Sequence, residues 1–243
     1  MRKLFLFPIL FLCSTITFGQ GFSSFTAEDT LQPAVIKHTK GDAPSSVEVI
    51  VSEKADIKNI KFRYKLLSGC SLSPQLNNDF TQPQKVLVTK TDGTSKEWVV
   101  TVKKLQKATL PFELNFSDQN PSAWNSSIAG WAGIGIDTTK PSVIRFGNEG
   151  ASFWAAFDKP AKSVTYKLIP VSKTKVDFDG IFLVETSEDA QKWIKLTEYN
   201  SKNQFEESNT YSFNLPENAR FVRWTYTERN KLNINLNNIS IKN

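Results

Sequence analysis

The chain is poor in the residue types from which most catalytic and metal centres are built. It has one histidine, His38, and two cysteines, Cys13 and Cys70. Cys13 lies in a segment predicted below to be removed, and one histidine with one cysteine cannot form an ordinary zinc site. No Gly-x-Ser-x-Gly motif accompanies His38, which disfavours a serine–histidine–aspartate arrangement. The sequence therefore predicts a protein that is not an enzyme and needs no cofactor.

Clustered positive charge is also scarce, although the formal net charge is +6. The basic residues are scattered, and the one modest cluster is Lys103, Lys104 and Lys107. Proteins that bind nucleic acid concentrate their basic residues on one face or stripe. The sequence thus predicts no nucleic-acid partner and a charge that serves solubility. It contains no signal for the oligomeric state.

The first nineteen residues have the layout of a cleaved secretory signal. Residues 1–3 form a short basic start, residues 4–18 are largely apolar, and residues 17–19 place small side chains where a signal peptidase reads. Pro8 interrupts the apolar run, which is too short to span a bilayer of roughly 30 Å. We predict cleavage near Gln20, no transmembrane span, and export to the periplasm, the cell surface or the medium.

Cys13 allows a second route of export, as a lipoprotein processed at that cysteine. The route needs a small residue just before the cysteine, and Leu12 occupies that position. Removal of the signal leaves Cys70 alone, which excludes an intramolecular disulfide. We expect Cys70 to be a buried small apolar residue.

Alternation of apolar and polar residues dominates the remaining chain, and helical periodicity is nearly absent. Short alternating segments separated by glycine, proline and asparagine predict an all-β fold. The turn Asp92-Gly93 makes residues 85–102 a predicted hairpin with Trp98 on its apolar face. A polar stretch without period follows, and a boundary near residue 108 predicts two tandem β-sandwich domains, 20–107 and 108–243.

The second domain has the strand density of a jelly-roll-like sandwich. Its last strand places Leu232, Ile234 and Leu236 on one face and three asparagines on the other. Strands are predicted near 112–116, 143–146, 152–157, 163–169, 180–186, 192–197, 210–215, 220–227 and 232–241.

Two family resemblances are carried by short motifs. Residues 78–83, 86–89, 92–94 and 97–102 resemble the Ig-like or cadherin-like modules near the N-termini of exported bacterial surface proteins. This resemblance covers residues 33–105. Such modules act as spacers or presentation domains, so the resemblance implies no site.

The second domain is similar to the galactose-binding-like jelly rolls attached to exported bacterial enzymes and adhesins. Related modules read "yS-Dg-W" in the middle and "iDdI-i" at the end. Here residues 184–189 with Trp193 match the first motif, and residues 236–241 match the second with Asn237-Asn238 in place of the acidic pair. Residues 110–112 and 221–224 complete the resemblance.

Tryptophan is the residue type that points to a ligand, since five of the six tryptophans follow residue 108. Sugars stack their CH-rich faces on indole rings while planar polar groups take their hydroxyls. Trp124 and Trp131 lie in loop-like segments, where an exposed indole is costly unless it packs locally or meets a partner. They form the candidate glycan site with Asn125, Arg223 and Arg229, and packing over the end of the core is the alternative.

The other tryptophans of the second domain follow strand patterns. Trp193 and Trp224 are predicted to be core residues. Trp154 shares a face with Ala156, opposite Phe153, so one of these two faces must be exposed or covered by a loop.

Asp177 and Asp179 are the candidates for carboxylate chemistry. In an extended segment they lie on one side, roughly 7 Å apart. Two such carboxylates could hydrolyse a glycosidic bond or, with backbone carbonyls, bind calcium. The following glycine, Gly180, favours an exposed turn instead.

Three functions are therefore open. The first is an exported, non-catalytic protein that recognises carbohydrate through its jelly-roll domain. The second is a structural or adhesive surface protein that binds other proteins through exposed apolar strand faces. The third is a glycoside hydrolase with an unrecognised carboxylate pair.

Overall fold

The structure, a computed structural model, describes residues 19–114, 131–137, 143–171, 177–206 and 209–243. These residues form eighteen β-strands and no helix, which confirms the predicted all-β fold. None of the described residues belongs to a helix that is long and apolar enough to cross a membrane. Residues 1–18 of the predicted signal segment 1–19 lie outside the described ranges, and the signal stays a prediction.

Seven strands form the N-terminal half, by which we mean the described residues up to 107. A five-stranded sheet, in the order β2-β3-β7-β6-β5, packs on the two-stranded sheet β1-β4. All neighbouring strands are antiparallel except β3 and β7, which are parallel. The strands are β1 (Phe22–Ala27), β2 (Val35–Lys37), β3 (Ser45–Val51), β4 (Phe62–Leu66), β5 (Cys70–Ser73), β6 (Gln84–Lys90) and β7 (Ser95–Lys104).

Trp98 is the centre of the core of this half, as its place in the predicted hairpin indicates. Its side chain is fully buried, and its ring contacts Phe22 edge-on at 5.2 Å. A Cβ atom at Gly21 would collide with the indole, so this position requires glycine. His38 is exposed just after β2, with its ring 4.9 Å from that of Trp98. Cys70 differs from expectation, because it is half-buried on β5 rather than buried.

The hairpin of β6 and β7 forms as predicted. Gly93 adopts a φ of 83°, a left-handed conformation that glycine takes at little cost. The Asp92 carboxylate accepts hydrogen bonds from the backbone N–H of Thr94 at 2.9 Å and from its hydroxyl at 2.6 Å. These bonds close the turn and fix the register of the two strands.

Eleven strands form the C-terminal half, by which we mean the described residues from 108 onward. One sheet runs β10-β11-β18-β13-β16, with β8 also paired to β18, and the other runs β15-β14-β17-β12-β9. The strands are β8 (Phe112–Leu114), β9 (Trp131–Ile134), β10 (Ile136–Asp137), β11 (Ile144–Phe146), β12 (Ser152–Ala156), β13 (Ser163–Val171), β14 (Ile181–Ser187), β15 (Ile194–Tyr199), β16 (Thr210–Asn214), β17 (Phe221–Glu228) and β18 (Asn233–Lys242).

The two sheets enclose a core centred on Trp224, which is fully buried with its ring 5.5 Å from that of Tyr166. Leu232, Ile234 and Leu236 face this core, as the sequence predicts. The pattern then shifts by one residue. Asn238 adopts a φ of 47° and is the extra residue of a β-bulge against β13.

The bulge at Asn238 has a packing consequence. A strand without it would turn Ile239 and Ile241 away from the core, because side chains alternate between faces. With it, both isoleucines are buried in the same cluster as Leu236. The Asn237-Asn238 pair thus serves the geometry of the last strand.

The segment that joins the halves is docked rather than free. Leu105, Ala108 and Leu110 are buried. The Ala108 N–H donates to the Ala156 carbonyl at 2.8 Å, and the Asp158 N–H donates to the Ala108 carbonyl at 3.0 Å. The described strands pair only within their own half. The domain boundary near residue 108 and the Ig-like and jelly-roll assignments stay predictions.

The Trp154 face of β12 is covered by the N-terminal half. Trp154 is 3% exposed and packs in one cluster with Ile50 and Leu105. Its indole N–H donates to the side-chain oxygen of Gln32 at 3.0 Å. The opposite face of β12, with Phe153, belongs to the core between the two sheets.

Candidate functional site

The outer face of the β15-β14-β17-β12-β9 sheet, which points away from the core of the C-terminal half, is the candidate site. Along β17, Val222, Trp224 and Tyr226 point into the core. Phe221 and Arg223 alternate with them and therefore point outward. The N-terminal half covers Phe221, while Arg223 is half-buried at the edge of that contact.

Arg223 lies at the centre of a set that we call the Arg223 platform, formed by Trp193, Arg223 and Glu185. The Nε and Nη2 atoms of Arg223 donate to Oε2 of Glu185 at 3.0 and 2.7 Å. The guanidinium carbon lies 4.0 Å from the centre of the Trp193 ring, a cation–π contact. Glu185 faces Arg223 directly across β14 and β17. Two neighbouring strands thus hold a planar cation against a carboxylate, and the turn after β14 adds an aromatic ring.

The platform retains free hydrogen-bonding capacity. Nη1 of Arg223 and Oε1 of Glu185 have no hydrogen-bond partner among the described residues. The side chains are 29% and 14% exposed, so solvent reaches this pair at its edge. The platform can therefore donate to a ligand from Nη1 and accept from it at Oε1.

A tight turn after β14 positions Trp193. The Asp189 carboxylate accepts hydrogen bonds from the N–H groups of Gln191 at 2.8 Å and Lys192 at 3.0 Å. These bonds, led by that from Lys192, lower the pKa of Asp189. The Ser187 hydroxyl accepts from the N–H of Ala190, a residue with a φ of 62° that is buried against the N-terminal half.

The residues of this turn are those that carry the resemblance in the middle of the second domain. Ser187 and Asp189 hold the turn, and the turn places Trp193 beside Phe221 with ring centres 6.4 Å apart. Trp193 is half-buried and packs on the outer face, which differs from the predicted core position.

A cleft of about 440 Å³ lies between the two halves next to the platform. We call it the seam cleft. Leu31 and Leu105 of the N-terminal half and Phe221 of the C-terminal half are its apolar lining. A second recess of about 470 Å³ shares Leu31, Ser52 and Asp189 with it. The two recesses therefore form one groove along the seam.

The basic cluster predicted near the join is paired with acidic residues in this region. The Lys107 ammonium lies 2.7 Å from a carboxylate oxygen of Glu53, at the wall of the seam cleft. This hydrogen bond lowers the pKa of Glu53. Lys103 lies 3.0 Å from a carboxylate oxygen of Glu48.

The other candidates for the glycan site fall elsewhere. Arg229 lies beyond the end of β17, about 20 Å along the strand from Arg223, and donates to the Asn233 side chain at 3.1 Å. The structure therefore does not bring the two arginines together. Trp124 and Asn125 lie outside the described residues. Trp131 begins β9 opposite Ala155, and its side chain lies outside the described part.

Asp177 and Asp179 are both exposed just before β14, which fits the turn that Gly180 suggests. The Asn230 side chain donates a hydrogen bond to Asp179. Among the described residues, no group of three or more histidine, cysteine, aspartate or glutamate side chains could hold a metal ion. Calcium binding at this pair stays a prediction.

No family model matches this chain, and no curated protein matches it. A Bacteroides thetaiotaomicron protein named as a candidate glycoside hydrolase matches at 12% identity and a TM-score of 0.44, over 91% of this chain and 96% of that one.

Two further solved structures match over about half of this chain. The K3 adhesin domain of Lys-gingipain from Porphyromonas gingivalis matches at 12% identity and a TM-score of 0.37, over 54% of this chain and 96% of that one. A variant of a family 29 carbohydrate-binding module matches at 10% identity and a TM-score of 0.37, over 54% of this chain and 91% of that one. Likenesses this distant assign no function.

Proposed function

We propose that this protein is an exported, non-catalytic carbohydrate-binding protein whose ligand binds at the Arg223 platform. The observation that carries the proposal is the guanidinium of Arg223, held between Glu185 and Trp193 with Nη1 left to bind a ligand. Neighbouring sugar hydroxyls can accept from Nη1 and donate to Oε1 of Glu185. The half-buried indole adds apolar surface for the CH groups of the ring.

The rigidity of the platform supports this role. A free arginine side chain loses rotamer entropy when it binds a ligand, at roughly 0.5–1.5 kcal/mol for each immobilised side chain. Here Glu185 and Trp193 fix Arg223 before any ligand arrives. The Asp189 turn fixes Trp193 in the same way.

The carboxyl groups favour binding over hydrolysis. In the described part of the chain, the carboxyl groups whose pKa departs clearly from its ordinary value have it lowered. A two-carboxylate glycosidase needs a general acid whose pKa is raised.

The adhesive alternative predicts exposed apolar strand faces. Across the described ranges, the large hydrophobic side chains that are well exposed are Leu87, at 46%, and Ile194, at 57%. They lie in different halves of the chain, on β6 and β15. They do not form a shared apolar face, so the geometry favours the carbohydrate proposal.

Affinity electrophoresis through gels that contain neutral plant, fungal and bacterial polysaccharides tests the proposal. Wild-type protein should be retarded by at least one of them. Arg223→Lys keeps the charge but loses the planar fork. A hydrogen bond to a charged group contributes roughly 1.5–3 kcal/mol, so affinity should fall about tenfold or more. Trp193→Ala should also weaken binding.

Arg229→Lys is the matched control, because Arg229 lies outside the platform, and it should be retarded like the wild type. Thermal melting of each variant checks that it folds. Binding that is unchanged in both Arg223→Lys and Trp193→Ala would contradict the proposal, as would wild-type protein that no polysaccharide retards.

A further inference from the structure

The Arg223 platform and the seam cleft adjoin each other. Phe221 and Arg223 are alternate outward residues of β17, about 7 Å apart along the strand. The Phe221 ring contacts Trp193 on the platform side and also lines the cleft. A ligand longer than one sugar ring that lies on the platform therefore meets the mouth of the cleft, where the facing wall belongs to the N-terminal half.

The halves are fixed against each other at this point. Ile50, Leu105 and Leu31 of the N-terminal half pack against Trp154 and Phe221 in one buried cluster. The buried Gln32–Trp154 hydrogen bond adds a directional contact. A surface that spans the seam is consequently preformed, which lowers the cost of binding across it.

The charges that line the seam cleft balance. Three side chains are basic and three are acidic, so the lining has no formal net charge. A strongly anionic or cationic chain would meet as many like charges as opposite ones, whereas a neutral polyhydroxyl chain finds both donors and acceptors. The basic residues are Lys54, Lys107 and Arg220, and the acidic residues are Glu53, Glu188 and Asp189.

We propose that the ligand is a neutral oligosaccharide chain that lies on the Arg223 platform and continues into the seam cleft, so that the N-terminal half forms part of the binding surface. This inference rests on the proposed function and extends it to the length and charge of the ligand. The N-terminal half then acts as one wall of the site and not only as a spacer.

Ser52→Trp tests the inference because Ser52 lines both recesses of the groove and does not belong to the platform. The probes are the disaccharides and hexasaccharides of the cello-, xylo- and manno-series, with polygalacturonate as an acidic comparison, measured by calorimetry on the full chain. Ser71→Trp, at an exposed position of β5, is the matched control. Melting temperatures confirm folding.

We expect Ser52→Trp to weaken hexasaccharide binding about tenfold or more, a loss of 1.4 kcal/mol or greater, and to leave disaccharide binding unchanged. Binding should depend little on salt, because a neutral ligand has no charge to screen. Hexasaccharide binding that Ser52→Trp leaves intact, while Arg223→Lys reduces it, overturns this inference and leaves the proposed function standing.

Two further outcomes would also overturn the inference. Tighter, salt-sensitive binding of polygalacturonate overturns the neutral class. A wild-type protein that binds none of these probes overturns the inference, and the polysaccharide gels then show separately whether the proposed function fails as well.

Discussion

The indole N–H of Trp154 donates to the side-chain oxygen of Gln32 at 3.0 Å, across a sequence separation of 122 residues and at a buried position. The two residues belong to different halves of the chain. A buried donor that loses its partner keeps its desolvation cost. This hydrogen bond therefore helps to fix the orientation of one half relative to the other, in addition to holding the two halves together.

The Gln32–Trp154 pair predicts a measurable coupling. Gln32→Ala should destabilise the protein by about 1–3 kcal/mol because the indole N–H stays buried without an acceptor. The effects of Gln32→Ala and Trp154→Phe should be less than additive, since phenylalanine has no donor that could be left without a partner. Urea denaturation of the two single variants and the double variant gives the coupling energy. A coupling close to zero would show that the hydrogen bond contributes nothing specific.

The bulge residue Asn238 predicts a contrast between two small substitutions. A φ of 47° is left-handed, which glycine adopts freely and alanine does not. Asn238→Ala should lower the free energy of unfolding by about 1–2 kcal/mol, whereas Asn238→Gly should change it little. Denaturant titrations measure both. Equal effects of the two substitutions would mean that backbone strain at this position is not the cause.

The Asp189 turn predicts a link between a carboxylate and the platform. Asp189→Ala removes the acceptor for two backbone N–H groups, so Trp193 should lose its fixed position and sugar binding should weaken. Asp189→Asn keeps a side-chain oxygen and should bind nearly as the wild type does. Calorimetry with a polysaccharide that retards the wild-type protein in the gels compares the affinities of the two variants and the wild type. Equal affinity of Asp189→Ala and the wild type would contradict the positioning role.

The stabilisation that Asp189 gives to the same turn should depend on pH in the acid range. The pKa of Asp189 is lowered in the folded protein by the backbone hydrogen bonds. The contribution of this group to stability is therefore complete above the ordinary pKa of aspartate and is lost as the pH falls through the lowered value. The tryptophan fluorescence of the protein, followed below pH 4, should report the loosening as a component that Asp189→Asn removes.

Burial of tyrosine predicts a fall in stability at alkaline pH. Burial raises the pKa of Tyr166, Tyr199 and Tyr211, and raises that of Tyr226 to about 12. In the unfolded chain these groups ionise near pH 10, so the folded state retains protons that the unfolded state has lost. Stability should therefore be intact below about pH 10 and should decrease as the pH rises above it.

Tyr226→Phe tests this decrease. The variant should show a shallower dependence of the denaturation midpoint on pH between 10 and 12. Tyr64→Phe is the control, because the Tyr64 hydroxyl bonds Gln75 at the surface. An unchanged slope in Tyr226→Phe would rule out this residue as a source of the alkaline transition.

The strands were predictable because alternation is a local property of the sequence. The burial of Trp98 and the dry face of Leu232, Ile234 and Leu236 follow from period two alone. Alternation does not say which face of a sheet another part of the chain covers. The cover over Trp154 and the half-burial of Trp193 therefore needed the tertiary structure.

The candidate site was only partly predictable for the same reason. Arg223 stands out in the sequence because it alternates with a core tryptophan. Its partner Glu185 lies 38 residues earlier and becomes its neighbour only when β14 pairs with β17. No local pattern distinguishes that glutamate from the other acidic residues of the chain.

The docked join at Ala108 has a hydrodynamic consequence. Two domains joined by a flexible linker reorient independently of each other. With Ala108 bonded to Ala156 and Asp158, and with Leu105 buried in one cluster with Trp154, the described halves should instead tumble as one particle. The surface on which we propose that sugar binds would then keep a fixed orientation relative to the N-terminal half.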